Sequence, residues 1–241
     1  MSEKYRVEGT VLIFNNGITS INKNDLHKQD TKKTELKDDV IGITSIIIPD
    51  SVTKIGACAF AKCTSLESII IPNSVTEIEG FAFAGCKKLE NITIPNSVTK
   101  IGQRAFYNCE SLESITIPGS VAEIGKYAFA YCKNLSDITI PDSVIKIDNG
   151  AFCSCKYLKS VIIPDSTTEI GTNAFLDCGS LESITIPNSV IEIGEHAFWY
   201  CPNLTLQCTK GSYAEKYAKE HDISCETTKS DKSKNDYEYD T

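Results

Sequence analysis

The residues of this 241-residue chain with the most chemical reach are its eleven cysteines, its three histidines and a set of recurring serines and glutamates. Cysteine and histidine together could hold zinc, which in structural sites takes four ligands from paired short loops. Cysteines could also pair as disulfides, and serine or cysteine beside histidine could serve as a nucleophile. Spacing argues against each. Cys63, Cys86, Cys109, Cys132, Cys155, Cys178 and Cys201 follow one another every 23 residues. A cysteine on such a beat is a packing residue, because a free thiol behaves as a small buried hydrophobe. Rungs of a stack lie about 5 Å apart, within disulfide range, but parallel side chains in one column would need strained torsions.

Cys58, Cys153, Cys208 and Cys225 lie off the beat. Cys153-x-Cys155 is too little for zinc, and Cys208 with Cys225 is the one pair left open as a disulfide. His27, His196 and His221 fall in a charged loop, a variable position and the C-terminal segment, none placed to activate a recurring serine or cysteine. Ser51, Ser74, Ser97, Ser120, Ser143, Ser166 and Ser189 keep the same beat behind a proline, where the hydroxyl is expected to bond turn backbone inside the corner. Glu67, Glu90, Glu113 and Glu182 form a solvated charge stripe on one strand edge. The chain reads as non-enzymatic, with no catalytic, cofactor or metal site.

The elements behind this spacing are repeats. Pro49, Pro72, Pro95, Pro118, Pro141, Pro164 and Pro187 mark the period without a slip. Self-similarity at such a period marks a solenoid, in which each unit contacts only its neighbours. The units run 43–65, 66–88, 89–111, 112–134, 135–157, 158–180 and 181–203. Each opens with a strand such as Leu66, Ile69 and Ile71, alternating as a half-buried strand requires. Proline ends the strand and pre-sets the turn. A second extended piece such as Val75 to Ile78 follows, usually closed by glycine. Ala-Phe-x-x-Cys then predicts one helical turn with Phe and Cys on one face.

Read through one unit, Leu89, Ile92, Ile94, Pro95, Ser97, Val98, Ile101, Ala105, Phe106 and Cys109 form a motif that resembles the BspA-like leucine-rich repeat. The resemblance covers all seven units. It implies a mainly β solenoid and a part in cell-surface adhesion and protein binding, usually with an export signal. Met1 to Thr10 is polar and lacks the apolar run of a signal peptide. Location is therefore expected to be intracellular by sequence, and cell-surface or secreted by resemblance.

Residues 1–42 are expected to form an N-terminal cap. Val11–Phe14, a turn at Asn15-Asn16-Gly17 and Ile18–Ile21 make a degenerate unit, and Asn22–Asp39 a charged surface loop. Residues 204–225 form a C-terminal cap in which the pattern decays, with Gln207 and Thr209 at isoleucine positions. A short amphipathic helix follows, with Ser212 as N-cap, and Ile223 anchors the strand after it. Residues 226–241 are charged and expected to be disordered.

A net charge of −8 without a basic cluster argues against nucleic acid or an anionic membrane as partner. No apolar run reaches spanning length. The best candidate surface is the outward strand column Ile47, Ile70, Thr93, Thr116, Thr139, Ile162 and Thr185, beside Ser45, Ser68, Asn91, Ser114, Asp137, Ser160 and Ser183. A second surface gathers Phe81, Tyr107, Tyr127, Tyr131, Trp199 and Tyr200. Lys54, Glu77, Lys100, Glu123, Lys146, Glu169 and Glu192 alternate in sign until the final unit, and predict a cross-rung charge ladder that holds register. Two function classes follow. One is an adhesion-like protein–protein interaction module; the other is a structural, self-associating repeat protein.

Overall fold

A computed structural model describes residues 4–26, 37 and 40–228. The protein is a mainly β solenoid of about eight turns, with parallel sheets and a 23-residue repeat. At its start β1 (Tyr5–Glu8) and β2 (Val11–Phe14) form an antiparallel hairpin. Then come β3 (Ser20–Ile21) and α1 (Lys23–Leu26). Each of the seven units contributes a longer and a shorter strand. They are β4 (Ser45–Ile47) with β5 (Lys54–Ile55), β6 (Ser68–Ile70) with β7 (Glu77–Ile78), and β8 (Asn91–Thr93) with β9 (Lys100–Ile101). Next are β10 (Ser114–Thr116) with β11 (Glu123–Ile124), and β12 (Asp137–Thr139) with β13 (Lys146–Ile147). The last are β14 (Ser160–Ile162) with β15 (Glu169–Ile170), and β16 (Ser183–Ile186) with β17 (Glu192–Ile193). β18 (Thr205–Thr209), α2 (Tyr213–Glu220) and β19 (Ser224–Thr228) close the described chain.

The longer strands stack into one wall, hydrogen-bonded in a seven-stranded and then a four-stranded sheet, and the shorter strands into an eight-stranded sheet. Alternation drives both. In the unit from Leu66, the side chains of Ile69, Ile71, Val75 and Ile78 are buried, and those of Ser68 and Ile70 between them are exposed. Down the middle runs a column of buried phenylalanines, Phe60 to Phe198, stacked at 5.2–5.7 Å between centroids. Phe14 and Tyr217 close the column edge-on at 6.3 and 6.0 Å, an arrangement that suits the ring quadrupole. Behind the shorter strands, Gly102 lets two rungs approach: a Cβ there would lie 2.5 Å from the Gly80 nitrogen.

Several expectations need correction. The Ala-Phe-x-x-Cys segment is not a helical turn. It is a run of tight turns in which every second residue bonds three back (Ala59 N–H to Gly56 O, Ala61 to Cys58, Cys63 to Phe60). The residues between donate to the next rung: Cys58 N–H to Gly80 O, Phe60 to Ala82, Lys62 to Ala84. The first and last of these turns carry a left-handed residue at the third position, Cys58 and Lys62. Twelve non-glycine residues of this turn wall, from Cys58 to Tyr200, have φ between 54° and 63°.

The recurring serine bonds the preceding rung and not its own corner. Ser74, Ser97, Ser120, Ser143 and Ser166 donate to Val52, Val75, Val98, Val121 and Val144 O at 2.5–2.8 Å. Ser189 is the exception, with a buried hydroxyl that has no partner. One rung back, Thr167 replaces the valine and its own hydroxyl turns to Val144 O at 2.8 Å.

Within Asn22–Asp39, Lys23–Leu26 is helical rather than loop, and Leu26 is buried. Asp25 caps this turn by accepting from Asn22 N–H at 2.7 Å, and pairs with Lys4 at 2.9 Å. Residues 27–36, 38 and 39 of the expected loop lie outside the described residues, as does the expected tail from 229. Before it, 226–228 belong to β19.

The repeat does not decay at β18; it drops one residue. Ile184 and Ile186 face Leu206 and Cys208, a step of 22, so Gln207 and Thr209 point away from the core. Leu204 stays on the 23-residue beat and hides the deletion. α2 begins where expected: the Ser212 hydroxyl accepts from Glu215 N–H, while the Glu215 carboxylate accepts from Gly211 N–H.

Candidate functional site

The outward column of the strand wall is built by register. Ile47 lies opposite Ile70 and Ile70 opposite Thr93. Further on, Thr116 lies opposite Thr139 and Ile162 opposite Thr185. The structure extends the column to Ile13 before Ile47 and to Gln207 after Thr185, where the two side chains meet at 3.0 Å. Sequence reasoning missed both ends, because neither falls on the 23-residue beat. Thr93, Thr116 and Thr139 are exposed, and Ile47, Ile70 and Ile162 are 51, 81 and 72% exposed. From Ile13 to Gln207 no member of the column carries a charge.

The aromatic surface divides in two on the turn wall. Phe81, Tyr107 and Tyr127 surround the Arg104 guanidinium at 5.4, 5.8 and 5.1 Å, and Tyr131 packs edge-on against Tyr107. Phe81, Arg104, Tyr127 and Tyr131 all stand on left-handed backbone, which aims them outward. Three rungs beyond Tyr127 towards the C-terminus, His196, Trp199 and Tyr200 stack on one another at 4.6 Å. Gly150, Asn173, Cys153 and Leu176 hold the positions between.

The alternating charges share one column but meet only in places. Lys54–Glu77 closes at 3.2 Å and Lys146–Glu169 at 2.8 Å, while Glu169 faces Glu192. Lys54 also reaches Glu79 at 2.7 Å, and these carboxylates raise its pKa. A second cross-rung ladder went unread: Glu110 pairs with Lys133 and with Lys87, each at 2.7 Å. Those two lysines hold the Glu110 carboxyl below the usual range. Its signal was available, as opposite charges 23 residues apart directly after the beat cysteine.

None of the eleven cysteines is joined in a disulfide. From Cys86 to Cys201 each beat thiol donates to the phenylalanine carbonyl of the preceding rung at 3.2–3.3 Å. Burial pushes Cys63 and Cys132 up to about 12 and Cys201 up to about 11. Such thiols supply little thiolate, the form that reacts or ligates. His196 lies on the turn wall and His221 beside Tyr217 in the cap, while His27 lies outside the described residues. Among the described residues, no three of His, Cys, Asp and Glu converge as a metal site would require.

Three comparisons place this geometry. The sequence matches the BspA type leucine rich repeat region in six copies, over residues 38–142 and 122–213. Among solved structures, the leucine-rich repeat protein of T. pallidum shares 24% identity and a TM-score of 0.67, over 93% of this chain and 95% of that one. A leucine-rich repeat protein from Bacteroides ovatus shares 29% identity and a TM-score of 0.51, over 85% of this chain and 69% of that one. No curated protein matches. The structural likenesses speak for the fold, and the repeat match for descent: the chain belongs to the BspA-type leucine-rich repeat family.

Proposed function

We propose that the chain is a non-catalytic protein-interaction module whose strand wall receives a partner protein across Ile47, Ile70, Thr93, Thr116, Thr139, Ile162 and Thr185. The observation that carries this reading is the exposure of three isoleucines in one outward column of the parallel strand wall. A single exposed apolar residue is ordinary, but an apolar column linked by threonine methyls is a continuous patch. Charged side chains are depleted at the centres of protein interfaces, and this column has none. The adjoining serines would supply hydrogen bonds at the rim. Contact of this kind is adhesion-like, as the BspA resemblance implies.

The test is capture of a partner by the intact chain, repeated with Ile70→Glu, Thr116→Glu and Ile162→Glu combined. These positions face solvent, so the triple variant should keep its fold by circular dichroism and lose the partner. Retained capture would move the contact elsewhere. Light scattering across a concentration series addresses self-assembly: the interaction module keeps one mass, whereas a self-associating repeat protein grows.

A further inference from the structure

In the C-terminal cap, two thiols lie together that strand register does not pair. β18 and β19 are parallel, with Leu206 opposite Cys225 and Cys208 opposite Thr227. The two cysteines are therefore offset by two residues, and an even offset keeps both on one face of the sheet. Cys208 is buried there, and α2 packs against both strands. Their sulfurs are 2.9 Å apart, nearer than unbonded sulfurs normally sit, and a disulfide needs about 2.05 Å. The beat cysteines differ, because from Cys86 to Cys201 each thiol donates its hydrogen bond to a carbonyl of the preceding rung.

We propose that Cys208 and Cys225 are a redox site: they form an intramolecular disulfide by exchange with a low-molecular-weight disulfide, and the bond locks the C-terminal cap. Cys225 is the more exposed and attacks first. Its thiolate takes one sulfur of the small disulfide and expels the other as a thiolate. The Cys208 thiolate then attacks the Cys225 sulfur and expels the second small thiolate. Two protein thiols are oxidised, one small disulfide is reduced, and the two protons released end on the leaving thiols. Burial, with the Cys208 sulfur beside it, raises the Cys225 thiol to about 12, so the first attack is slow at neutral pH.

The bond closes a loop that contains α2. Among the described residues, β19 has a strand neighbour on one side only, β18. Once bridged, β19 can no longer peel away from the cap independently of α2. The site therefore controls how firmly this end of the solenoid is closed.

The experiment uses the full chain, reduced and then held with glutathione disulfide. Thiol titration in denaturant should fall from eleven to nine, the intact mass should drop by two hydrogens, and a peptide joining residues 208 and 225 should appear. Tryptic cleavage at Lys216 and Lys219 should slow by about tenfold or more, since closing a loop of this size restricts local opening. Cys225→Ser under the same oxidant should keep its ten remaining thiols and its cleavage rate. Eleven surviving thiols, a glutathione adduct that persists on Cys225, or pairing through Cys58 or Cys201 would overturn the site. A 208–225 bond that leaves cleavage unchanged would overturn the lock.

Discussion

On the strand wall the outward side chains stand on extended backbone, one column per alternate residue, and vary little from Ile47 to Thr185. On the turn wall they stand on left-handed residues, and the same column holds Cys58, Phe81, Arg104, Tyr127, Gly150, Asn173 and His196 in turn. Both walls bond rung to rung through the backbone. They differ in what the backbone asks of the side chain. Extended strands reward β-branched residues, so uniformity there is partly conformational. The left-handed region favours glycine and asparagine. Phenylalanine, arginine and tyrosine at those positions are tolerated against local preference, and the three backbone bonds per rung hold them there.

The largest test removes what both walls share. Phe106 stacks between Phe83 and Phe129, fully buried, so Phe106→Ala should cost about 3–5 kcal/mol by denaturant unfolding. A loss below about 1 kcal/mol would mean that the walls do not depend on this column.

The next test separates the walls. Asn108 is left-handed at φ 60°, so Asn108→Val should destabilise by about 1–3 kcal/mol. Thr116→Val on the exposed strand wall should stay within about 0.5 kcal/mol of the parent. Equal effects would erase the distinction.

A third test uses the serine corner. Ser120→Ala removes the bond to Val98 O and should cost about 1 kcal/mol. Ser189→Ala removes a buried hydroxyl without a partner, and should be neutral or slightly stabilising. Matching losses would mean that the bond contributes nothing.

The smallest effect belongs to the charge ladder. Lys146 faces Glu123 and Glu169, so Lys146→Glu should destabilise more than Lys146→Gln, by roughly 0.2–1 kcal/mol at low salt. The excess should shrink in high salt. Variants that melt together would make the ladder irrelevant to register.

The proline, isoleucine and cysteine beat specifies the solenoid, its inward face and the outward column, because strand alternation is a local property. The turn wall was illegible for a physical reason. Phe60 and Cys63 are joined by the same three-residue step in a helix and in successive turns, and only the left-handed Lys62 between them tells the two apart. The acceptor of Ser120 lies 22 residues back, beyond any local pattern. Cys208 looked unrelated to the repeat because the dropped residue falls just after Leu204. As for the candidate site, the sequence showed the column but not its ends or its exposure, which depend on register between strands.

The central claim, that the strand wall and not the turn wall receives the partner, is tested most directly by site-specific photo-crosslinking. A photoreactive residue at Thr116 and, separately, at Tyr127 samples the two walls within one rung. The account predicts a crosslinked partner from Thr116 and none from Tyr127. Crosslinking from Tyr127 alone would contradict it, and would place the contact on the aromatic cluster around Arg104.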